Sequence, residues 1–318
     1  MTALRPLAAG GAGGAGPAGV TSGATGSGAG DRFELLRALA TLCEAPGPSH
    51  DAILAAVGLP EGLHGEEHTE VFVLQCHPYA SFYLNADGML GGEAGDRVAG
   101  FWRALGLVPP AASDHLAALL GLYAALGDDE PRLDHRPTAR AGIAHARAAL
   151  LWEHLASWVP AFLAAVSDVG TPRVQAWAAL LGEALTAETE MAAPPSRLPL
   201  ALREAPEPPS PGSSVSATLE ALLAPARCGV VLTRGRLTAG AREVGVGLRQ
   251  GERRFTMRAM LDQDPRGTLE WMAREAARWA GLHRRWMPEG AGISDWWSAR
   301  AATTAVLLET LANRASHP

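Results

Sequence analysis

The chain has 318 residues, enough to bury a substantial core, with a formal net charge of -6 and a pI near 5.9. That balance argues against a polyanion binder as a whole, and its 27 basic residues are all arginine, which removes P-loop, Schiff-base and general-base lysines together. Cys43, Cys76 and Cys228 lie far apart with no C-x-x-C pair, so neither a disulfide framework nor a thiolate zinc site is expected and a reducing compartment fits best.

Residues 1–30 form a glycine-alanine tract with one arginine before Asp31 and no continuous apolar region of a secretory signal. Such a tract buries too little side chain to offset its ordering entropy, so a disordered tail is expected there. Beyond it no run of about 18 uncharged apolar residues occurs, so no membrane span is expected and a cytoplasmic location follows.

The body is rich in alanine and leucine and poor in β-branched alternation, which is helical composition. Val98, Phe101, Trp102 and Leu105 keep helical spacing, and Gly106 supplies a stop. Leu116, Leu119, Leu120, Tyr123 and Leu126 repeat the pattern, with Asp114 or Ser113 as the expected N-cap. The longest stripe runs from Leu151 through Leu155, Trp158, Phe162 and Leu163 to Val166, and Pro160 inside it should bend or split the helix. Residues 193–212 carry seven prolines in 20 positions and read as a semi-rigid linker. They would divide an all-α core of residues 31–192 from a helical C-terminal segment, 213–318, whose own stripe is Leu269, Met272, Ala276, Trp279 and Trp286. The predicted fold is all-α, a helical bundle with an additional C-terminal helical segment.

Several residues invite chemistry. His64, Glu67 and His68 match the inverted zinc-protease pattern H-x-x-E-H, but Pro60, Gly62 and Gly65 make poor helix, and a solvated acidic loop is the plainer reading. Cys76 beside His77 resembles a nucleophile with its base, yet sequence neighbours point apart, so a buried cysteine is expected. Asp114 and His115 open a helix, and the carboxylate suits an N-cap and the positive end of the dipole. Trp102, Trp152, His154 and Trp158 add large amphipathic side chains; as core they need no function, but Trp102 and Trp152 fall at stripe edges and would suit a groove for an apolar peptide. Between Arg227 and Arg258 eight arginines face two glutamates, which raises a helix-turn-helix. These arginines spread around the expected helices, and pairing with the acidic remainder explains them as well.

Two stretches, YLNADGMLGGEAGDRVAGFWRALGLVPPAASDHLAALLGLYAAL and LLWEHLASWVPAFLAAV, resemble the TorD/DmsD/NarJ family of redox-enzyme maturation chaperones. The former is similar to that family's helix, proline-containing connection and Asp-His-Leu helix start. The latter is similar to its H-L-x-x-W-x-P-x-F segment, here His154, Leu155, Trp158, Pro160 and Phe162. The resemblance implies a TorD-type bundle without catalytic residues, metal or cofactor. It implies a monomer or homodimer that binds the twin-arginine signal peptide, or another part, of a molybdenum-containing reductase precursor of the dimethyl sulfoxide reductase type until its cofactor is inserted. Carried over, the client-binding residues are Asp114, His115 and Leu116, joined by Trp102, Trp152, His154 and Trp158 as apolar walls. Ala112-Ser113 stand where the family often has an acidic residue or proline, so one anionic contact to client arginines is missing. The alternatives are a zinc hydrolase using His64, Glu67 and His68, and a DNA-binding protein using residues 227–258.

Overall fold

A computed structural model describes residues 27–60, 62, 65–247, 251–286 and 292–315. The fold is all-α: no strand occurs among the described residues, only one isolated antiparallel bridge between Tyr79 and His115. Most of the glycine-alanine tail, residues 1–26, lies outside the described residues. Its last four positions do not follow the expectation, because α1 (Ser27–Thr41) reaches back to Ser27. Extending an already nucleated helix costs far less than starting one.

Short helices follow: α2 (His50–Ala56) and α3 (Gly65–His68), which runs into a π-helical turn, Thr69–Val73, then α4 (Ala80–Leu84) and α5 (Gly92–Ala104). Helix α5 ends as its sequence predicts. Gly106 takes a φ of 75°, its N–H donates to Arg103 O (2.9 Å) and that of Leu107 to Trp102 O (3.0 Å), the paired bonds that close a helix at a left-handed residue. Helix α6 (Leu116–Arg132) buries Leu116, Leu119, Leu120, Tyr123 and Leu126 and packs on α1.

Pro160 splits the next stripe. Helix α7 (Pro137–Ala149) continues as a π-helical segment, Leu150–Leu155, and stops; α8 (Val159–Val169) starts with Pro160 in its first turn, bent by 46° from the preceding helix. Proline is tolerated there because first-turn N–H groups have no intrahelical partner. Every residue of α8 from Val159 to Val166 is buried, so this helix, apolar all round, is the centre of the molecule. No single helix among the described residues is long and apolar enough to cross a membrane; the bent pair of α7 and α8 meets the length and composition only jointly, and α8 is core.

Helix α9 (Pro172–Met191) packs on α8 and α1. Then come α10 (Leu200–Arg203) within the proline-rich stretch, α11 (Val215–Leu223), α12 (Pro225–Cys228), α13 (Arg234–Val244), α14 (Arg253–Gln263), α15 (Pro265–Trp286) and α16 (Ile293–Ala315). Helices α15 and α16 form a long hairpin, and α15 lies against α8. On α15, Met272, Ala276 and Trp279 are buried and Leu269 is half-buried, as their spacing predicts; the Trp286 side chain lies outside the described residues. The buried cluster is continuous from Phe33 to Leu308.

Ala201 and Leu202 of α10 are buried, and Arg300 of α16 donates to the carbonyls of Ala205 (3.2 Å), Pro206 and Ala226 (3.3 Å) while stacking on Trp296. At the other end of α8, Asp168 accepts two bonds from Arg278 (2.9 and 3.0 Å), which also binds the buried Glu275 together with Arg236. The indole of Trp297 donates to Ser157 O at 3.0 Å.

Candidate functional site: a groove beside the Asp-His pair

Asp114 and His115 do different jobs from those their spacing predicts. The N-cap of α6 is His115, whose Nδ1 accepts the Ala117 N–H at 3.1 Å. The Asp114 carboxylate turns to another helix: its Oδ2 accepts the Ser81 N–H at the start of α4 (3.0 Å), and its carbonyl accepts the Ala80 N–H (3.0 Å). With Leu116 N–H donating to Pro78 O (2.8 Å), residues 114–116 are stitched antiparallel to 78–81. A buried carboxylate at a helix start is favoured by the free N–H groups and dipole there. The expected cap at position 114 therefore serves α4 and leaves α6 to its neighbour, because the chain reverses between Pro109-Pro110 and α6 and aims the carboxylate across the loop.

Since His115 Nδ1 is an acceptor, the proton sits on Nε2. Burial lowers the His115 pKa below its ordinary value, against the pull of Asp114, so the ring stays neutral. It meets the Tyr79 ring edge-on at 4.8 Å. Both rings line a groove of about 640 Å³ walled by α1, the π-helical turn and α6, with Ala40, Phe72, Pro78 and Ala118 among its apolar lining. Its polar groups include Glu44, Arg37 and His68. Arg37 is held by Glu34 and Asp128, and His68 Nε2 lies 3.3 Å from Cys43 O. Glu44 is exposed and has no ion-pair partner among the described residues. Glu44 and Tyr79 were missed from sequence, since only the packing of α1 on α6 brings residue 44 to residue 115.

The other sequence candidates separate by depth. Leu116 and Trp158 are fully buried and Trp152 is 4% exposed, so in this structure they are core and not groove walls. Trp158 stacks on Tyr83 (5.3 Å) and donates to His154 O at 2.7 Å. The α7–α8 break leaves that carbonyl without a helical N–H, which is why an indole fits there. His154 packs on Phe101 at 4.8 Å, and burial pulls its pKa down to about 4. Trp102 is half-buried and donates to Ser113 O (3.3 Å), bracing the loop that carries Asp114.

Of the zinc pattern, His64 lies outside the described residues. Glu67 pairs with Arg173 (3.4 Å) and Thr171, and His68 stacks edge-on against Phe72. No three metal-binding side chains converge among the described residues. Cys76 is fully buried and its thiol is pushed far up by desolvation, while His77 packs on Phe82; the buried-cysteine reading of that pair describes what is observed. In the arginine-rich segment, Arg236 binds Glu275 (2.7 Å) and Asp168 (3.5 Å), Arg254 binds Glu220 (2.8 Å) and Arg258 binds Asp262 (3.7 Å); Arg249 lies outside the described residues.

Fold and groove together define a class: an all-α protein with a peptide-sized surface groove and a neutral histidine on its wall. The family model described as nitrate reductase delta subunit, of the NarJ/TorD-like chaperone family that serves molybdoenzyme maturation, matches residues 61–164. The matched stretch is about a third of the chain, running from just before α3 into α8 and including the Asp-His loop and the α7–α8 break. No curated protein and no solved structure matches the chain.

Proposed function

We propose that this protein is a cytosolic, non-enzymatic chaperone that binds the twin-arginine signal peptide of a molybdenum-containing oxidoreductase precursor of the dimethyl sulfoxide reductase type. It would hold that precursor until its cofactor is inserted. The observation that carries this reading is the groove beside His115. One rim offers the exposed Glu44 carboxylate, without an ion-pair partner among the described residues, and the Tyr79 ring to a guanidinium, and the walls offer apolar side chains to the stretch that follows. A neutral His115 adds no repulsion and presents an N–H to a peptide carbonyl. Asp114 takes part by fixing the loop on which His115 sits, and Trp102 by bracing it through Ser113.

The test is fluorescence anisotropy with a labelled peptide carrying two consecutive arginines and an apolar stretch. Affinity is expected to fall about tenfold or more in a protein carrying Glu44→Gln and His115→Ala, with helical circular dichroism preserved. Equal binding of a peptide whose arginines are replaced by alanine, or unchanged affinity in the double variant, would reject the assignment.

A further inference from the structure

Another groove runs on the far side of Val73, a residue that lines both. Three adjoining cavities of about 520, 390 and 270 Å³ share the side chain of Arg253 at the start of α14. Their floor carries exposed apolar side chains: Val73 (49%), Leu74 (39%), Met89 (60%) and Leu90 (51%). Four large apolar groups left this open in one depression form an unusual surface on a chain with a well-filled core.

Arg253 adds an independent sign of a ligand. Its guanidinium lies 4.7 Å over the Phe82 ring and donates to Leu232 O (3.2 Å), but no carboxylate lies within ion-pairing distance among the described residues. Burial lowers its pKa, the mark of a cation held in a poorly hydrated place without full compensation. Arg234 and Arg242 line the same groove on α13, and neither has an ion-pair partner among the described residues. Of the acidic groups nearby, Glu220 is paired with Arg254 (2.8 Å), Glu70 is oriented by Gln75 (2.8 Å) and Asp87 by the Met89 N–H (3.0 Å), and Glu252 lies beside Arg253, so the cationic character of the groove is concentrated at Arg253, Arg234 and Arg242.

We infer that this groove docks a polypeptide segment that interleaves carboxylates with apolar side chains, the carboxylates meeting Arg253, Arg234 and Arg242 and the apolar groups covering Leu74, Met89 and Leu90. Charge complementarity selects that occupant. A small anion would satisfy Arg253 and leave the apolar floor wet. Nucleic acid would want a broad basic face, whereas Arg236, Arg254 and Arg258 are all bound to carboxylates. The chain's own residues 1–26 contain no aspartate or glutamate. This specificity is opposite in sign to that of the groove beside His115, so one partner can be gripped at two chemically distinct places.

The experiment uses the full chain and a labelled helical peptide built from leucine, glutamate and alanine, with lysine-for-glutamate and glutamine-for-glutamate versions as controls. The glutamate peptide is expected to bind, the lysine peptide not, and affinity to drop about tenfold on Arg253→Gln and again on Arg234→Glu with Arg242→Glu. The latter two residues are exposed, so that pair keeps the test valid even where Arg253→Gln disturbs folding. Equal binding of acidic and basic peptides, or no effect of the α13 substitutions, overturns the inference. Full displacement by inorganic phosphate would mean a small-anion site. Loss of a concentration-dependent dimer in Arg253→Gln would mean a contact between copies, and either result also overturns it.

Discussion

Asp114 and His115 differ by one position and cap two different helices. What separates them is where the chain turns, and one residue makes the same point in the opposite half of the protein. His283 is fully buried between Trp279 and Trp297, each ring 5.3 Å away, and its Nε2 donates to Gly229 O at 2.8 Å. Its Nδ1 is buried with no hydrogen-bond partner among the described residues, so a second proton there would be an unsolvated charge, and burial brings the pKa down to about 4. The unfolded chain therefore binds more protons than the folded one between pH about 6.5 and 4. This contribution to stability is complete above that window and is lost as pH falls through it, up to about 3 kcal/mol. In His283→Gln, which removes the titration, chemical denaturation at a series of pH values should give a shallower fall in stability between pH 6.5 and 4. An unchanged slope would show that other groups, such as His154, dominate. Gly229 itself has a φ of 71° and lies under the backbone of Ala301, so no side chain fits where the histidine's acceptor sits.

At the scale of elements, the molecule depends on how helices are interrupted. Pro160 ends one helix and begins another, and the resulting 46° bend frees the His154 carbonyl for the Trp158 indole and brings the buried α8 into the centre. The proline-rich residues 193–212 are tied down at several points: Arg314 donates to Pro211 O (3.1 Å), Arg97 binds Glu204 (2.9 Å), the Leu200 N–H donates to Glu153 (2.6 Å), and Arg300 makes the most bonds. Arg300, 8% exposed, offers its guanidinium to the carbonyls of Ala205 and Pro206 on one side and Ala226 on the other. Arg300→Met should keep much of the apolar packing on Trp296 and lose these bonds. The strap should then open, seen as faster limited proteolysis within 193–212 with helical content almost unchanged. A cleavage rate equal to wild type would show that the buried Ala201 and Leu202, with the Arg97, Arg314 and Glu153 contacts, hold it without Arg300.

For the whole molecule, the apolar surface of α8 is shared. Its faces are covered by α4 and α9 from before the proline-rich stretch and by α15 from after it, while Trp297 and the Asp168–Arg278 pair fasten the two parts. A chain ending at residue 212 would leave one face of α8 in water and Asp168 without Arg278. Such a truncation should bind a hydrophobic dye and aggregate, where the full chain does not; a monodisperse 1–212 fragment with native-like helicity would contradict this dependence. The charge map has the same character. Arg236 and Arg254 of the arginine-rich segment find carboxylates on other elements, at Asp168, Glu275 and Glu220, Arg258 pairs with Asp262 on its own helix, and among the described residues those without an ion pair line the cavities around Arg253.

The sequence alone determined the all-α class, the stripes of α5, α6 and α15, the left-handed stop at Gly106 and the split at Pro160. Each depends on backbone geometry or on a period of a few residues, and such signals are local. The two stretches quoted for the chaperone resemblance are also local, and residues 61–164 match the family accordingly. Tertiary structure decided the rest. Trp152, Trp158 and Leu116 became core because neighbouring helices covered them, a fact about partners that spacing along one helix does not carry. Glu44 joined His115 only because α1 lies against α6, Tyr79 because residues 78–81 pair with 114–116, and Arg253 came to line a groove with Leu74 and Met89 across more than 160 residues of chain. Periodicity tells a residue which way to face, and only packing settles what it meets there.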